Sequence, residues 1–522
     1  MGEPFVQHLL KRLGESDQKV TELINKVERL EDELKSLKKL PKRPNLKASK
    51  LDEDRTNKPK EKRGRQTGKR KKKESLEIHE VKEIKIEGLS EDWRLIGHEK
   101  HVRQDFIVQA NNIEYVLEIW ENPEGEKRVA KLPVHLQHTH FGGTLKAFII
   151  HQYFECGVTQ PLILSSLKDY GVDISAGQIN GILTGNKKFF HLEKETLLST
   201  AIKLNEELRT DDTGARHKFR NGFCNCINSS LFTYFKSTYS KSRINFLEIL
   251  RQSRSDYQIN EASLSYIKKE QYSSKYYQIL KQSYDSGDRV FENKASLENY
   301  YRSKGINAKY AIKQITEALL IGTIVNHGFD VNTIIHSDGA GQFNIFIHAL
   351  CWKHAERPLV QLKYYNPIQG EQLEKKQMEY WQLYQALKTY KENPDKKTAL
   401  QLRQRFDELC TNVLNYASLN KVLNILKKKK DELLVVLDHP NASLHNNNSE
   451  SDIREYAKRR KISSGTRSEN GRKARDTFLS LKKTCRKLNV SFWDYLRDRI
   501  LNQNNIPPLG NIMTKKHQQS LA

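Results

Sequence analysis

The stretch Ala442–Asp476, ASLHNNNSESDIREYAKRRKISSGTRSENGRKARD, decides how the rest of the chain folds around it. It opens with a run of asparagines, places Glu450 directly after that run, and then becomes strongly basic. Its basic residues are Arg454, Lys458, Arg459, Arg460, Lys461, Arg467, Arg472, Lys473 and Arg475. An acid that leads into so basic a stretch suggests a metal-binding carboxylate beside a phosphate backbone, since Lys and Arg neutralise phosphates. We predict DNA contact through Arg454, Lys458, Arg459, Arg460, Lys461, Arg467 and Arg472; a plain solvated surface is the alternative.

Two other segments carry acids in comparable settings. Asp211 lies in LRTDDTG after a short apolar lead-in, and Asp338 closes the β-branched run VNTIIHSDGAG. Carboxylates at strand ends and on one crossing helix can converge on two hard cations, and Mg²⁺ or Mn²⁺ takes oxygen ligands. Two such ions about 4 Å apart assist in-line displacement at phosphorus. We therefore predict that Asp211, Asp338 and Glu450 bind Mg²⁺ or Mn²⁺ and are catalytic, with Asp212 as the alternative to Asp211.

The bulk properties favour a polyanionic partner and exclude two broad classes of protein. The chain has 522 residues and a net charge of +25, so we expect several domains and a nucleic-acid partner before a membrane. Its six cysteines are too few and too scattered for a disulfide framework, which indicates a reducing, cytoplasmic compartment. No apolar run approaches the ~18 residues of a membrane span, and the first residues lack the apolar core of a signal peptide.

Composition divides the first part of the chain into three segments. Apolar residues repeat as a heptad seam from Val20 to Leu37, so residues 1–40 are predicted to form a coiled-coil helix that pairs protomers into a homodimer or higher oligomer; an amphipathic helix packed within its own chain is the alternative. Residues 41–75 are basic and almost without apolar side chains, which predicts a disordered arm on DNA or a solubilising linker. Residues 76–141 alternate in polarity, and the tetrapeptide NPEG is predicted to turn between two half-buried strands.

Residues 142–200 are predicted to be helical. Three helical pieces are separated by Gly157 and Gly171, and Ser175 is the expected N-cap of the third. A helix, a glycine turn and a short capped helix are typical of a helix-turn-helix that binds DNA. An ordinary helical hairpin is the alternative. A further helix is expected to run to about Leu208.

The remaining chain is predicted to be a mixed α+β or α/β core with two insertions. Residues 201–370 form its first part, including two strands joined by Asn228-Ser229-Ser230. Residues 251–311 are a Tyr-rich, partly helical insertion, and residues 371–440 are a helical insertion divided near Pro394. Residues 441–502 complete the core with the Glu450 helix and a closing amphipathic helix, and residues 503–522 are expected to be a loose tail.

Four motifs in this order resemble the DDE transposases of the insertion sequence 66 family. LRTDDTGAR matches a DETG-like element with the first Asp, and SDGAG matches an SDGY-like element with the second. ALCWKHAER matches a CWAHxRR-like element through Cys351, Trp352, His354 and Arg357. HNNNSESDIR matches an NNxxERxxR-like element through Asn446, Asn447, Glu450 and Arg454. The resemblance runs from about Thr144 to Ile500.

The resemblance implies a ribonuclease H-like catalytic core interrupted by a helical insertion. It also implies a bacterial enzyme at the nucleoid that cuts the DNA ends of its own mobile element and joins the 3′ hydroxyl to target DNA. His354, Arg357, Asn446 and Asn447 would support the active site. The family's paired-cysteine zinc module has no cysteines here, so no zinc is predicted. An inactive helix-turn-helix regulator and a nuclease that stops after hydrolysis remain alternatives.

Overall fold

The computed structural model describes residues 78–84, 98, 100–103, 106–132, 140–204 and 207–521. Contacts divide the chain into two units, residues 1–103 and 104–522. The predicted coiled coil at 1–40 and the basic arm at 41–75 lie outside the described residues, so both remain predictions. All elements below belong to the second unit.

A small hairpin lies at the start of the second unit. Strands β1 (Ile119–Glu121) and β2 (Lys127–Val129) pair antiparallel around the predicted NPEG turn, where the N–H of Gly125 donates to the carbonyl of Asn122. The prediction of two half-buried strands was wrong, because both strands are exposed along their length and only three residues long.

Four helices follow, as predicted for this region. They are α1 (Gly143–Phe154), α2 (Gln160–Asp169), α3 (Ala176–Thr184) and α4 (Lys188–Leu204). Gly157 and Gly171 have φ angles of 79° and 81°, a left-handed conformation that favours glycine after a helix. Ser175 caps α3 through a reciprocal capping box with Gln178. Helix α4 ends at Leu204, so the prediction that it continues to Leu208 was wrong.

Leu208 belongs instead to the first strand of the central sheet. Strand β3 (Glu207–Gly214) is followed by β4 (Phe223–Asn228) and β5 (Thr233–Thr238), and the three strands pair antiparallel. The turn predicted at Asn228-Ser229-Ser230 joins β4 to β5. Cys224 and Cys226 are both fully buried on β4, which confirms that they are packing residues.

The Tyr-rich insertion is largely helical and separates β5 from the next strand of the sheet. It begins after α5 (Arg243–Arg251), and it contains β6 (Tyr257–Gln258), α6 (Glu261–Lys269), α7 (Ser274–Ser286), β7 (Val290–Phe291) and α8 (Lys294–Ser303). Strands β6 and β7 form a separate antiparallel pair. Helix α9 (Lys309–Asn326) is almost entirely buried from Ile315 onward and returns the chain to the central sheet.

Two parallel strands complete the central sheet. Strands β8 (Ile334–Ser337) and β9 (Ile347–Leu350) extend it, giving the order β5-β4-β3-β8-β9. Strand β3 pairs parallel with β8, and β8 pairs parallel with β9. Parallel strands that are covered on both faces read as continuous apolar runs, and β8 is accordingly buried at every position.

The second insertion is helical, as predicted. Helix α10 (Trp352–Val360) precedes it. The insertion itself contains α11 (Pro367–Tyr390), α12 (Lys396–Leu409), α13 (Ala417–Lys428) and α14 (Lys430–Leu433). Pro394 lies between α11 and α12, which confirms the predicted break. Trp352 is fully buried against Tyr380 and Phe406, and this aromatic cluster joins the insertion to α10.

The chain then crosses the sheet and closes the fold. Helix α15 (Asn447–Ser463) carries Glu450, and α16 (Glu469–Lys487) and α17 (Phe492–Ile500) replace the single closing helix of the prediction. The turn between α16 and α17 contains no glycine and has Asn489 in the left-handed region at φ 53°.

The predicted loose tail was wrong. Residues Leu509–Leu521 form helix α18, which packs on α4. Leu509 and Met513 are fully buried, and the N–H of Leu509 donates to Glu193 Oε1 at 3.0 Å. Pro507 and Pro508 marked a loop in the sequence, but two well-spaced apolar residues beyond them form the buried side of a helix. No helix in the described part of the chain is long and apolar enough to cross a membrane.

Candidate active site

Asp211 and Asp338 lie on neighbouring strands. The parallel register pairs Arg209 of β3 with His336 of β8. Because side chains alternate along a strand, two residues further the same register brings Asp211 and Asp338 to one face of the sheet. Asp338 lies directly after β8 and is exposed, whereas Asp211 is partly buried within β3. The middle of β3 and the carboxyl end of the adjacent β8 therefore supply two acids to one side of the site.

Glu450 reaches the same place from the helix that crosses β3. It lies in the first turn of α15, and its Oε2 accepts a 2.7 Å hydrogen bond from Arg454 one turn later. Its Oε1 is buried without a hydrogen-bond donor and lies 3.5 Å from His354 Nε2. That separation is at the limit for a hydrogen bond, so we treat this oxygen as lacking a donor.

Asp211 interacts electrostatically with both Asp338 and Glu450. Burial raises the pKa of Asp211 to about 7, and the nearby carboxylates of Asp338, Asp212 and Glu450 add to that increase. The N–H of Asp212 donates to Asp211 Oδ1 at 2.7 Å and partly offsets the effect. Carboxylates that repel one another in a half-buried site are stabilised by a cation, which would lower this pKa again.

Asp212 has a different environment from Asp211. Lys241 Nζ lies 2.9 Å from its Oδ1, and Gln342 Nε2 donates to its Oδ2 at 2.5 Å. Burial still raises the pKa of Asp212, but Lys241 acts against that increase. Asp212 therefore already has a cationic partner from the chain itself. Of the two aspartates that the sequence left open, Asp211 is the one grouped with Glu450.

The asparagines before Glu450 hold its helix on the strand of Asp211. Asn446 is fully buried, and its Nδ2 donates to the carbonyl of Thr210 at 2.9 Å. Its N–H donates to Cys351 Sγ at 3.3 Å. Asn447 is the first residue of α15, and its Oδ1 is buried without a donor. Asn446 thus fixes the relative position of two elements that carry predicted catalytic acids.

His354 and Arg357 lie on α10 beside these acids. Burial and then the charge of Arg357 lower the pKa of His354, while Glu450 and Asp338 act in the opposite direction. The lowered pKa keeps the imidazole neutral near pH 7. Arg357 is exposed. His354 therefore lies beside Glu450, whereas Arg357 acts on His354.

The residues present fit hard divalent cations that are completed by a substrate. Mg²⁺ and Mn²⁺ require oxygen ligands. Glu450 offers a buried carboxylate oxygen that accepts no hydrogen bond, and further carboxylates lie near Asp211. Within the described ranges, no three or more His, Cys, Asp or Glu side chains are grouped closely enough to hold a metal ion by themselves. One or two carboxylates per ion, with substrate phosphates and water completing the shell, is the usual arrangement for Mg²⁺.

The predicted DNA contacts divide into an exposed face and an inner face of α15. Arg454, Lys458 and Lys461 are exposed, and Arg467 is exposed in the loop that follows. Arg460 is partly buried and donates to the carbonyl of Gly214 and, at 3.3 Å, to Thr213 Oγ1. Arg472 is paired with Glu469 at 2.7 Å.

Arg459 does not fit the predicted DNA contact. Its side chain is only 3% exposed, and its guanidinium stacks 3.5 Å from the ring centre of Tyr153 on α1. It lies on the inner face of α15 together with Asp452 and Tyr456, because positions three and four apart share one side of a helix. We therefore leave Arg459 out of the DNA-binding surface.

Three polar residues at the site were not predicted from the sequence. Lys241 and Gln342 contact Asp212, and Arg243 donates to the carbonyl of Gly341 at 2.9 Å in the turn after Asp338. A weak signal existed for Gln342, since it follows the SDGAG motif directly. Lys241 and Arg243 follow β5 in an ordinary polar segment and offered none.

Comparison with known proteins places the chain in a family. The matching family model is that of the "Transposase IS66 family", and it covers residues 306–474, a span that contains Asp338 and Glu450. "Uncharacterized protein y4jO" of Sinorhizobium fredii (strain NBRC 101917 / NGR234) is 40% identical over 312 residues, which make up 59% of this chain and 96% of that protein. The mixed sheet and this match define a transposase-related protein. The chain belongs to the IS66 transposase family.

Proposed function

We propose that the chain is a DDE transposase that cleaves one DNA strand at each end of its insertion sequence and joins the 3′ hydroxyl to target DNA. The observation that carries the proposal is the electrostatic interaction among Asp211, Asp338 and Glu450: burial raises the pKa of Asp211 to about 7, and the charges of Asp338 and Glu450 add to that increase. Strongly shifted carboxyl groups in a cleft are typical of functional sites.

In this proposal the three acids hold Mg²⁺ or Mn²⁺ against the scissile phosphate. Two bound ions would activate the attacking oxygen and stabilise the leaving oxygen during in-line displacement. Asn446 and Arg460 position α15 on β3, so that Glu450 faces the acids of the two strands. Neutral His354, beside Glu450, contributes polarity without adding a positive charge that would compete with the cations.

The attacking group differs between the two chemical steps. In the first, water attacks phosphorus, the bond to the 3′ oxygen breaks, and that oxygen leaves as a hydroxyl. In the second, the same 3′ hydroxyl attacks a target phosphodiester, and a target 3′ hydroxyl leaves. Both steps place a phosphorus between the same carboxylates, so one site serves both.

The exposed face of α15 supplies a path for the DNA backbone away from the acids. Arg454, Lys458 and Lys461 follow Glu450 at helical spacings of four, four and three residues. At ~1.5 Å per residue the three basic residues extend over ~10 Å, and Lys461 lies ~16 Å along the helix axis from Glu450, a path that spans several phosphates of one strand. Arg467 continues the row beyond the end of the helix.

The other regions would bring the DNA to this site. The five-stranded order supports a ribonuclease H-like core. Helices α2 and α3 would act as a helix-turn-helix, with exposed Asn180 on α3 available to read a base edge. The predicted coiled coil and basic arm would hold two protomers and two DNA ends together.

The test is strand transfer with the purified full chain, the end DNA of its own element, and Mg²⁺ or Mn²⁺. Wild type is compared with Glu450→Gln, and Glu371→Gln, an exposed acid on α11, is the matched control. We expect metal-dependent joining by wild type and by Glu371→Gln, with at least a ~1,000-fold loss in Glu450→Gln because a metal ligand is removed. DNA binding, measured by gel shift, should remain in all three proteins.

Other outcomes identify the rival functions. Tight binding of the end DNA with no cleavage by wild type would favour a regulator, since binding needs none of the acids. Metal-dependent nicking without joining would favour a nuclease. Joining that survives in Glu450→Gln would refute the assignment of this residue.

A further inference from the structure

The hairpin between β3 and β4 ends in an unusual turn. Residues Arg216–Arg220, RHKFR, form this hairpin tip, and His217 and Arg220 exchange two backbone hydrogen bonds of 2.9 Å. The two residues between them, Lys218 and Phe219, both have positive φ angles, 46° and 62°. Positive φ at both central residues is the pattern of a type I′ turn, which strongly prefers Asn-Gly.

Lysine and phenylalanine are costly residues in such a turn. A left-handed conformation is a clear outlier for a bulky residue such as phenylalanine and costs on the order of 1 kcal/mol or more. Strain of this kind persists where the surrounding structure enforces it, and it is concentrated at functional sites. The tip therefore presents these two side chains at the expense of local stability.

The surrounding structure holds the tip rigidly. The N–H of Lys218 donates to the carbonyl of Thr466 at 2.8 Å, and the N–H of Thr466 donates to the carbonyl of Arg216 at 3.0 Å. The buried ring of His217 bonds Thr466 Oγ1 through Nδ1 and Glu469 Oε1 through Nε2, both at 2.8 Å. The hairpin tip is thus fixed to the loop between α15 and α16.

At the hairpin tip, one exposed aromatic side chain lies among three exposed basic side chains. Phe219 is 76% exposed, and Arg216, Lys218 and Arg220 are exposed beside it. Arg467, next to Thr466, continues the same basic surface toward α15. Apolar side chains are what DNA-kinking proteins insert between base steps, and cations on either side of such a residue suit the flanking phosphates.

We propose that Phe219 is a wedge that inserts between neighbouring base pairs of the bound DNA, while Arg216, Lys218 and Arg220 hold the phosphates on both sides. The proposal rests on the proposed function in taking DNA as the ligand. It adds a residue that deforms the DNA, distinct from the residues that cut it. Unstacking a base step costs a few kcal/mol, which the phosphate contacts and the added protein surface offset.

The fold sets where on the DNA this deformation occurs. Phe219 lies on the same hairpin as Asp211, and about eight extended residues span at most ~26 Å. At ~3.4 Å per base pair, the wedge reaches a step within about eight base pairs of the scissile phosphate. The kink therefore falls on the duplex next to the active site.

Equilibrium binding to two short duplexes tests the wedge. Both are 30-base-pair duplexes of one arbitrary sequence, one intact and one with a central mismatch beside a 2-aminopurine, whose fluorescence rises on unstacking. A mismatch lowers the cost of insertion, so wild type should bind the mismatched duplex about 10-fold tighter and raise its fluorescence. Phe219→Ala should bind both duplexes equally and leave the fluorescence low, whereas Phe219→Leu should retain a partial effect.

Two further variants separate the wedge from the fold. The double substitution Lys218→Asn with Phe219→Gly fits the type I′ turn, so it should keep or raise the melting temperature while abolishing the preference for the mismatch. Tyr365→Ala removes an equally exposed aromatic residue, 85% exposed on the connection before α11, and should change nothing.

Neither readout requires cleavage, so both are measured without metal and also in the Glu450→Gln background. A preference for the mismatch that persists in Phe219→Ala would overturn the wedge even if strand transfer is confirmed. A preference that depends on Phe219 would support it even if strand transfer fails.

Discussion

Asn446 Nδ2 donates a 2.9 Å hydrogen bond to the carbonyl oxygen of Thr210, the residue that precedes Asp211. This bond joins the asparagine run before Glu450 to the strand of the first aspartate. Both atoms are buried, and Asn446 is fully enclosed. This side-chain amide therefore helps to fix the position of Glu450 relative to Asp211 without touching either carboxylate.

Asn446→Ala should lower strand transfer while the protein remains folded. Removal of one partner leaves the buried carbonyl of Thr210 without a donor, which costs about 1–3 kcal/mol of unfolding free energy. We expect strand transfer to fall at least ~10-fold, since small displacements of catalytic groups are costly, with DNA binding within ~2-fold of wild type. Asn441→Ala, at an exposed position before the run, is the control. Equal activity of the two variants would refute a positioning role.

Asp338→Asn should separate binding from chemistry. The side chain is exposed at the end of β8 and keeps its shape in the variant, so the fold and DNA affinity should be unchanged. Strand transfer should be lost because an amide is a poor replacement for a carboxylate ligand of Mg²⁺. Asp288→Asn, an exposed acid of the Tyr-rich insertion, should transfer strands normally. Strand transfer that is retained in Asp338→Asn would refute the assignment of Asp338 as a catalytic residue.

Asp211 should destabilise the metal-free protein increasingly as the pH rises. Its pKa is about 7 in the folded chain, against an ordinary value of 3.8, with burial as the first cause. Between these values the folded state binds more protons than the unfolded state, so stability falls as the pH increases from about 4 to 7. Asp211→Asn should therefore raise the melting temperature at pH 8 but not at pH 4. Mg²⁺ should raise the melting temperature of wild type and leave that of Asp211→Asn unchanged. Thermal melts at pH 4 and pH 8, with and without Mg²⁺, measure both effects.

Arg243 should link the Tyr-rich insertion to the turn after Asp338. Its guanidinium donates to Tyr266 Oη on α6 at 2.7 Å, to Glu270 Oε2 directly after α6 at 2.8 Å, and to the carbonyl of Gly341. Breaking a largely buried ion pair from one side costs ~3 kcal/mol or more. We expect Arg243→Met to lose about that much in a denaturant titration, and exposed Arg302→Met to change stability by less than ~0.5 kcal/mol. A loss confined to ~0.5 kcal/mol in Arg243→Met would show that the link is dispensable.

The C-terminal helix should contribute to the stability of the helical region. Leu509 is fully buried where α18 packs on α4. Truncation of a buried leucine costs about 2–5 kcal/mol, so Leu509→Ala should lower the unfolding free energy by ~3 kcal/mol. Gln518→Ala, exposed on the same helix, is the control. If urea unfolding does not distinguish the two variants, the packing of α18 is not maintained in solution.

Much of the local structure was readable from the sequence. Gly157, Gly171 and Ser175 gave the boundaries of α1–α3, since left-handed turns and side-chain caps are encoded by single residues. The order of the motifs gave the family and the three acids. The errors fell where local pattern is ambiguous: Leu208 continues a helical pattern but belongs to β3, and the proline pair before α18 concealed two buried apolar residues.

The sequence by itself determined which acids, asparagines and basic residues are present, where most helices and strands begin, and to which family the chain belongs. Only the tertiary structure decided that Asp211 rather than Asp212 faces Glu450, that Arg459 packs on Tyr153 instead of facing solvent, and that Phe219 projects from a strained turn. The reason is physical. Helix boundaries depend on neighbours in the chain, whereas the direction of a side chain and its electrostatic environment depend on residues more than a hundred positions away, brought together by sheet register and helix packing.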